Sequence, residues 1–416
     1  MIRKKLIVDT FLVAFLILST GGLAFVYNRN LMYLIYFIFT FLILITSTKK
    51  PKKILFNSCI LSFITVLIIY SINFIFAVNT QAIEKFLFNI LVTVICLFVI
   101  YHFLNNRSLN RFLKILYICL QLLLIHSVLN FIAFFFVKDN LQTITSIFHE
   151  CQTFYNFFFY DLQKSTIQIF DYEICRNQGL FWEPGILQAY LNLLFFLEAF
   201  YFKKRNFLLL VISISVISTY STSGLTILIV QIIVYIISEI KRSKVLFITT
   251  LSLLIPLMFL YLNNIESKFK GDYESSFQKR LFDLTQPFFI ALQNPLTGVG
   301  LDIIQFQEIR KEFYFKSKRL NTLQDKFGIE SKSKTTEKGS SNSVMFLLAS
   351  LGFPFSILFI YFSIKQNIFM HKKSLFTFVF FLIVMSQPLL LRPFFFTFII
   401  SGMVNIYSKF KTNMVQ

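Results

Sequence analysis

The sequence predicts an all-α integral membrane protein with about 12 transmembrane helices. Three observations predict it. Of 416 residues, 56% are hydrophobic and only 14% charged, with mean hydropathy +0.69, a balance foreign to soluble globular domains. Apolar runs long enough to cross roughly 30 Å of hydrocarbon as helix recur along nearly the whole chain. Runs such as 54–76 carry no charge and do not alternate, which excludes a transmembrane barrel.

The elements follow in order. Arg3, Lys4 and Lys5 precede an apolar stretch that resembles a secretion signal, but no small-residue cleavage site follows, so it reads as a retained first helix. The predicted spans are 6–26, 31–47, 54–76, 86–104, 112–137, 183–202, 206–221, 224–240, 245–262, 341–364, 374–390 and 393–408. With the N-terminus inside, every second connection is basic: Lys49, Lys50, Lys52 and Lys53; Arg107 and Arg111; Lys203, Lys204 and Arg205; Lys241, Arg242 and Lys244; Lys372 and Lys373; Lys409 and Lys411. The short turns between carry only Arg29, Lys85 and Arg392. Cytoplasmic loops concentrate Lys and Arg, so both termini are expected in the cytoplasm.

The expected organisation is a five-helix region (1–137), a first outer loop (138–182), a four-helix region (183–262), a large outer loop (263–340) and a three-helix region (341–416). The large loop holds 13 basic and 10 acidic residues and reads as a small folded cap with amphipathic helices, with disorder around residues 331–338 as an equal alternative. Net charge is +20, but the basic residues punctuate apolar runs rather than form a patch, so nucleic acid is not expected as a partner. Cys151 and Cys175 both fall in the first outer loop, where an oxidising compartment would favour a disulfide. Cys59, Cys96 and Cys119 lie within spans as small hydrophobes.

No Walker loop, nucleophile elbow or paired-histidine metal spacing occurs; His102, His126, His149 and His371 are scattered. Chemistry is therefore sought among charges at span boundaries. Arg176-Asn-Gln-Gly-Leu-Phe-Trp-Glu183-Pro-Gly185 sets a cation and a carboxylate against the start of a span, a placement that requires water, a partner or a ligand. An interfacial anchor with an Arg176–Glu183 ion pair and Trp182 at headgroup level is the structural alternative. Ser221 to Gly224 suggests a tight hairpin with small residues for close helix packing.

Arg280 precedes an apolar stretch broken by Asp283 and Pro287, followed by Asn294-Pro-Leu-Thr-Gly298-Val-Gly300. This predicts a surface-lying helix ended by a glycine turn able to approach a ligand closely, with Arg280 free to meet a phosphate of either ligand or lipid. The next span opens at Ser340-Ser-Asn342-Ser, which helix capping alone accounts for.

Together, and in this order, the Arg176–Gly185 segment, the Ser221–Gly224 turn, Arg280 before the 294–300 turn and the Asn342–Gly352 opening resemble the O-antigen polymerase and ligase family. The resemblance covers residues 176 to about 361 and implies a GT-C-like membrane glycosyltransferase architecture. It implies that an acceptor sugar hydroxyl attacks the anomeric carbon of a polyprenyl-diphosphate-linked glycan at the outer face of a bacterial inner membrane, with no cofactor and no metal. On that reading Arg176 and Arg280, with Arg310 and Arg319 as further candidates, hold the diphosphate, since guanidinium matches phosphate bidentately. Glu183 either orients or deprotonates the acceptor or simply fixes Arg176, while Gly298, Gly300 and Asn342 support the site.

Ligases of the family carry a histidine beside the asparagine, where this chain has Ser341. That departure favours a polymerase of surface polysaccharide repeat units over a ligase acting on a lipid core or protein. The expected partners are lipid-linked oligosaccharide donor and acceptor, membrane lipids, a chain-length regulator and a flippase. The alternative from another class is a flippase or secondary transporter, but neither half of the chain repeats the other.

Overall fold

The computed structural model describes residues 2–47, 50–145, 150–162, 166–169, 172–202, 205–239, 258, 260–262, 264–266, 274–316 and 340–413. Most of the predicted ninth span, Arg319, His149 and the 331–338 stretch lie outside the described residues. The helices are α1 (Ile2–Leu18), α2 (Leu23–Tyr27), α3 (Arg29–Ile45), α4 (Lys53–Phe76), α5 (Ile83–Tyr101), α6 (Leu109–Val137), α7 (Pro184–Phe196), α8 (Asn206–Ser218), α9 (Thr222–Glu239), α10 (Glu274–Gln293), α11 (Ile303–Lys316), α12 (Ser343–Ile364), α13 (Lys373–Ser386) and α14 (Pro393–Asn413).

Among the described residues, five stretches are long and apolar enough to cross a membrane: Lys53–Phe76, Ile83–Asn106, Leu109–Asn140, Pro184–Phe202 and Ser343–Ile364. α3, α8, α13 and most of α9 are shorter apolar helices. The molecule is a membrane protein built mainly of helix, as expected for chains that must satisfy every backbone group in hydrocarbon.

The all-α expectation needs one correction. The segment expected as the first outer loop forms two small antiparallel sheets, one of β1 (Gln142–Thr145), β2 (Glu150–Phe154) and β3 (Phe158–Tyr160), the other of β4 (Thr166–Ile169) and β5 (Tyr172–Cys175). Its short runs of Thr, Ile, Phe and Tyr suit a pleated surface. Cys151 and Thr153 on β2 are both buried, the period-2 signature of a strand with one covered face. At the tip between β2 and β3, Tyr155 and Asn156 take positive φ of 48° and 60°, a turn whose twist matches that of the strands.

The chain divides into two compact units, each drawn from three stretches: Met1–Phe39, Leu109–Ile265 and Phe369–Ile383 in one, and Thr40–Ser108, Glu266–Ile368 and Val384–Gln416 in the other.

In the first unit α7 is buried along its entire length, as an all-round apolar helix should be. Pro184 occupies its first turn after an extended Glu183 (φ −145°, ψ 136°). Gln188 and Asn192 break its apolar surface. Asn192 Nδ2 donates to Gly224 O at 3.1 Å, and Gln231 Nε2 of α9 donates to Asn192 Oδ1 at 3.1 Å. A Cβ on Gly224 would come 2.9 Å from Gln188 Cβ, so the Ser221–Gly224 turn serves close packing of α7 on α9, the structural reading of that motif. α1 is tied to α6 by an ion pair between the fully buried Asp9 and Arg111, 2.7 Å apart.

In the second unit α14 packs on α4, α5 and α12, and α10 lies along α12. α12 is broken at Gly352 (φ 76°, ψ 173°), two residues before Pro354. A break in hydrocarbon frees carbonyls that need new donors. Ser356 Oγ reaches Leu347 O at 2.8 Å, and the glycine turn supplies the rest.

Candidate functional site

In the first unit the Arg176–Glu183 segment is built as an anchored strap. Asn177 is buried; its Nδ2 donates to Ser127 O (2.9 Å) and Ser218 Oγ (3.0 Å), and its Oδ1 accepts from Gly179 N at 3.1 Å. Backbone bonds from Leu23 N to Leu180 O (3.0 Å) and from Trp182 N to Gly21 O (3.2 Å) fasten the strap to the corner between α1 and α2. Arg176 is half-buried, and its Nε donates to Thr219 O at 2.9 Å. Glu183 is also half-buried and its side chain makes no capping bond to α7. Among the described residues no ion pair joins it to Arg176, so the pairing allowed for in the sequence is replaced by a bond from the arginine to backbone.

Cys151 and Cys175 are not bonded to each other in this structure and are buried in separate clusters, Cys151 with Leu23 and Phe159 and Cys175 with Phe134 and Tyr160. Burial pushes the Cys175 thiol up to about 12, the direction expected when a charged form is desolvated.

The second unit gathers Arg280, Arg310, Gly298, Gly300 and Asn342. Arg280 is exposed on α10 and donates through Nη1 to Ser386 O. One turn on, Asp283 is fully buried and accepts from Arg310 Nη2 at 2.7 Å, while Arg310 Nε donates to Gln286 Oε1 at 2.6 Å. The other carboxylate oxygen of Asp283 accepts from Ser341 N at 2.8 Å and Ser341 Oγ at 2.5 Å. Arg310 is itself 0% exposed, and among the described residues its Nη1 has no partner. Its charge is committed to a buried carboxylate, so in this structure Arg310 is the counter-ion of Asp283. A buried Asp without such a partner would be strongly unfavourable.

Asn342 caps α12 through Oδ1, which accepts from Val344 N and Met345 N at 3.1 Å each. Ser343 Oγ donates to Gln387 O at 2.5 Å and accepts from Leu389 N at 2.7 Å, so Arg280 and Ser343 both hold the corner after α13.

Gly298 and Gly300 approach protein rather than open space. Val299 N and Gly300 N donate to Ala349 O and Ser350 O at 2.9 and 3.0 Å, the carbonyls freed by the break in α12. At Gly298 (φ 67°) a Cβ would stand 2.5 Å from Ala349 O, which requires glycine on both conformational and steric grounds. Asn73 Nδ2 of α4 donates to Thr297 O and Ser350 O at 2.7 Å each, and Leu301 N donates to Gln81 Oε1 at 3.0 Å. The turn therefore splices α4, α10 and α12 together.

A protein-family model described as O-antigen ligase matches residues 207–360. Among the curated proteins nothing matches, nor does any solved structure. The matched stretch contains Arg280, the glycine turn, Arg310 and the cap at Asn342, whereas Arg176 and Glu183 precede it.

Three residues escaped sequence reasoning. Asp283 registers only as an interruption of an apolar stretch, Ser341 only as a missing histidine, and Asn177 only as filler between Arg176 and Glu183. The offset of three residues from Arg280 to Asp283 and again to Gln286 is the one available signal, since it places all three near one helix face. Among the described residues no three His, Cys, Asp or Glu side chains gather as a metal site.

Proposed function

We propose that this protein polymerises polyprenyl-diphosphate-linked oligosaccharide repeat units into surface polysaccharide at the outer face of a bacterial inner membrane. The observation that carries the reading is that the O-antigen ligase stretch holds an exposed arginine, Arg280, one turn before a buried carboxylate that also grips the start of α12. An exposed guanidinium on a positioned helix can neutralise charge developing on a departing diphosphate. It accelerates transfer to the extent that its contacts strengthen as the anomeric bond breaks. Arg176 and Glu183 form a second candidate group on the other unit.

Contacts within each unit support the sorting of the connections onto two opposite sides, which the reading requires. Segments expected outside meet each other: Gln81 with Leu301, Tyr27 with Ile144 and Asn177 with Ser218. Segments expected inside do likewise: Ser47 with Asn106, Asn405 with Lys365 and Tyr235 with Asn206. A ligase that transfers finished glycan is the second reading, favoured by the description of the family model.

The test is the surface glycan of a strain lacking the gene, resolved by chain length, together with its pool of lipid-linked glycan. Single repeat units displayed without long chains support polymerase. Long chains stranded on the lipid carrier assign ligase, and an unchanged profile overturns both. Arg280→Ala in the complementing copy is expected to abolish restoration while the protein still inserts.

A further inference from the structure

We infer that Ser341 is the group that receives the acceptor hydroxyl, and that Asp283 acts through it as the positioning residue. This rests on the glycosyl-transfer reading and supplies the acceptor-side group that Arg280 does not. Ser341 is partly accessible, whereas Asp283 and Arg310 beneath it are fully buried.

The direction of hydrogen bonding decides the chemistry. A serine hydroxyl has one proton and two lone pairs. At Ser341 that proton is committed to Asp283 Oδ2 at 2.5 Å, with the Ser341 backbone N–H on the same oxygen at 2.8 Å. The hydroxyl oxygen is left to accept, and what it accepts must carry an O–H or N–H. A sugar hydroxyl is such a donor; a phosphate oxygen or a bare lipid chain is not. The site is therefore matched to the nucleophile of the transfer, as Arg280 is matched to the leaving group.

Asp283 keeps this polarity because its other oxygen is occupied by Arg310 Nη2 at 2.7 Å. Both oxygens of Asp283 thus receive donors, which fixes the direction of the bond from Ser341. In the transfer, the acceptor oxygen forms its bond to the anomeric carbon, and the electron pair of the broken anomeric C–O bond leaves on the diphosphate. The acceptor proton passes to Ser341 Oγ as the seryl proton passes to Asp283. Asp283 ends neutral beside Arg310 and returns its proton to water as product departs. Because Asp283 lies one turn from Arg280 on α10, one helix sets both the leaving-group contact and the acceptor contact.

The test uses the full chain in proteoliposomes, with lipid-linked repeat units extracted from the deletion strain as donor and acceptor. Ser341→Ala leaves the Asp283–Arg310 pair intact and is expected to lower kcat about 100-fold, the scale of proton-transfer assistance, with donor KM within about threefold. Ser341→Thr, which keeps the hydroxyl, should recover most of that loss. Asp283→Asn should match Ser341→Ala in kcat, provided its thermal melt shows a folded chain. A Ser341→Ala protein within about threefold of wild type in kcat overturns the inference but leaves the glycosyl-transfer reading standing. A wild-type chain that transfers nothing overturns both.

Discussion

The strap at 176–183 and the network around Asp283 both place an arginine near the start of a helix, yet they use their polar groups in opposite ways. In the strap, Arg176 donates to a backbone carbonyl and the neutral Asn177 makes most of the bonds. Around Asp283 an ion pair is wholly buried, and one of its carboxylate oxygens collects a backbone and a side-chain donor from Ser341. Neutral amides secure a fold at little electrostatic cost. A buried charge pair is costly to assemble and is weak evidence for stability in itself. What the second arrangement adds over the first is a fixed charge behind an accessible hydroxyl, which is a chemical capacity.

The comparison breaks first at Asp283. Replacing it with Ala strands the buried Arg310 charge, and unfolding in detergent should show a loss of about 3–5 kcal/mol. A loss under about 1 kcal/mol would mean that Arg310 finds another partner and that the network is no more specialised than the strap.

Asn177→Ala should cost about 1–3 kcal/mol by leaving several buried partners unsatisfied. Transfer by the folded fraction should be unchanged. Activity that fell further than stability would make the strap part of the reaction and erase the contrast.

Asn342→Ala removes the α12 cap and should destabilise by about 0.5–2 kcal/mol. Asn342→Asp, which keeps an accepting oxygen, should recover it.

The smallest effect concerns Cys175. A thiol pushed from its ordinary 9.0 to about 12 stays protonated at pH 8, so a soluble maleimide should label it only after unfolding. Its folded value is raised, so the contribution to stability is complete below pH 9 and is lost as pH climbs toward 12. Rapid labelling of the native chain at pH 8 would show that the sheet covering Cys175 is open.

The candidate site was legible where local pattern carries it. Arg280, the 294–300 turn and Asn342 stand out because a cation, a glycine pair and a capping residue interrupt long apolar runs. The packing of the glycines was not legible, since a positive φ near a ligand and a positive φ against a neighbouring helix look the same in one dimension. The burial of Arg310 was hidden for a similar reason: a cation in a polar loop gives no sign that it will be the one drawn inside. The two small sheets were missed because their strands are three to five residues long, too short for alternation to stand out from the apolar background.

By itself the sequence determined that this protein is a membrane protein made of helices, because runs of apolar residues leave the backbone only its own groups to bond with. Tertiary structure alone decided that Arg310 turns inward while Arg280 stays exposed, and that Ser341 shares Asp283 with Arg310. Asp283 meets partners 27 and 58 positions away. Such meetings depend on how α10, α11 and α12 pack, and a charge stays buried only where that packing delivers its counter-ion.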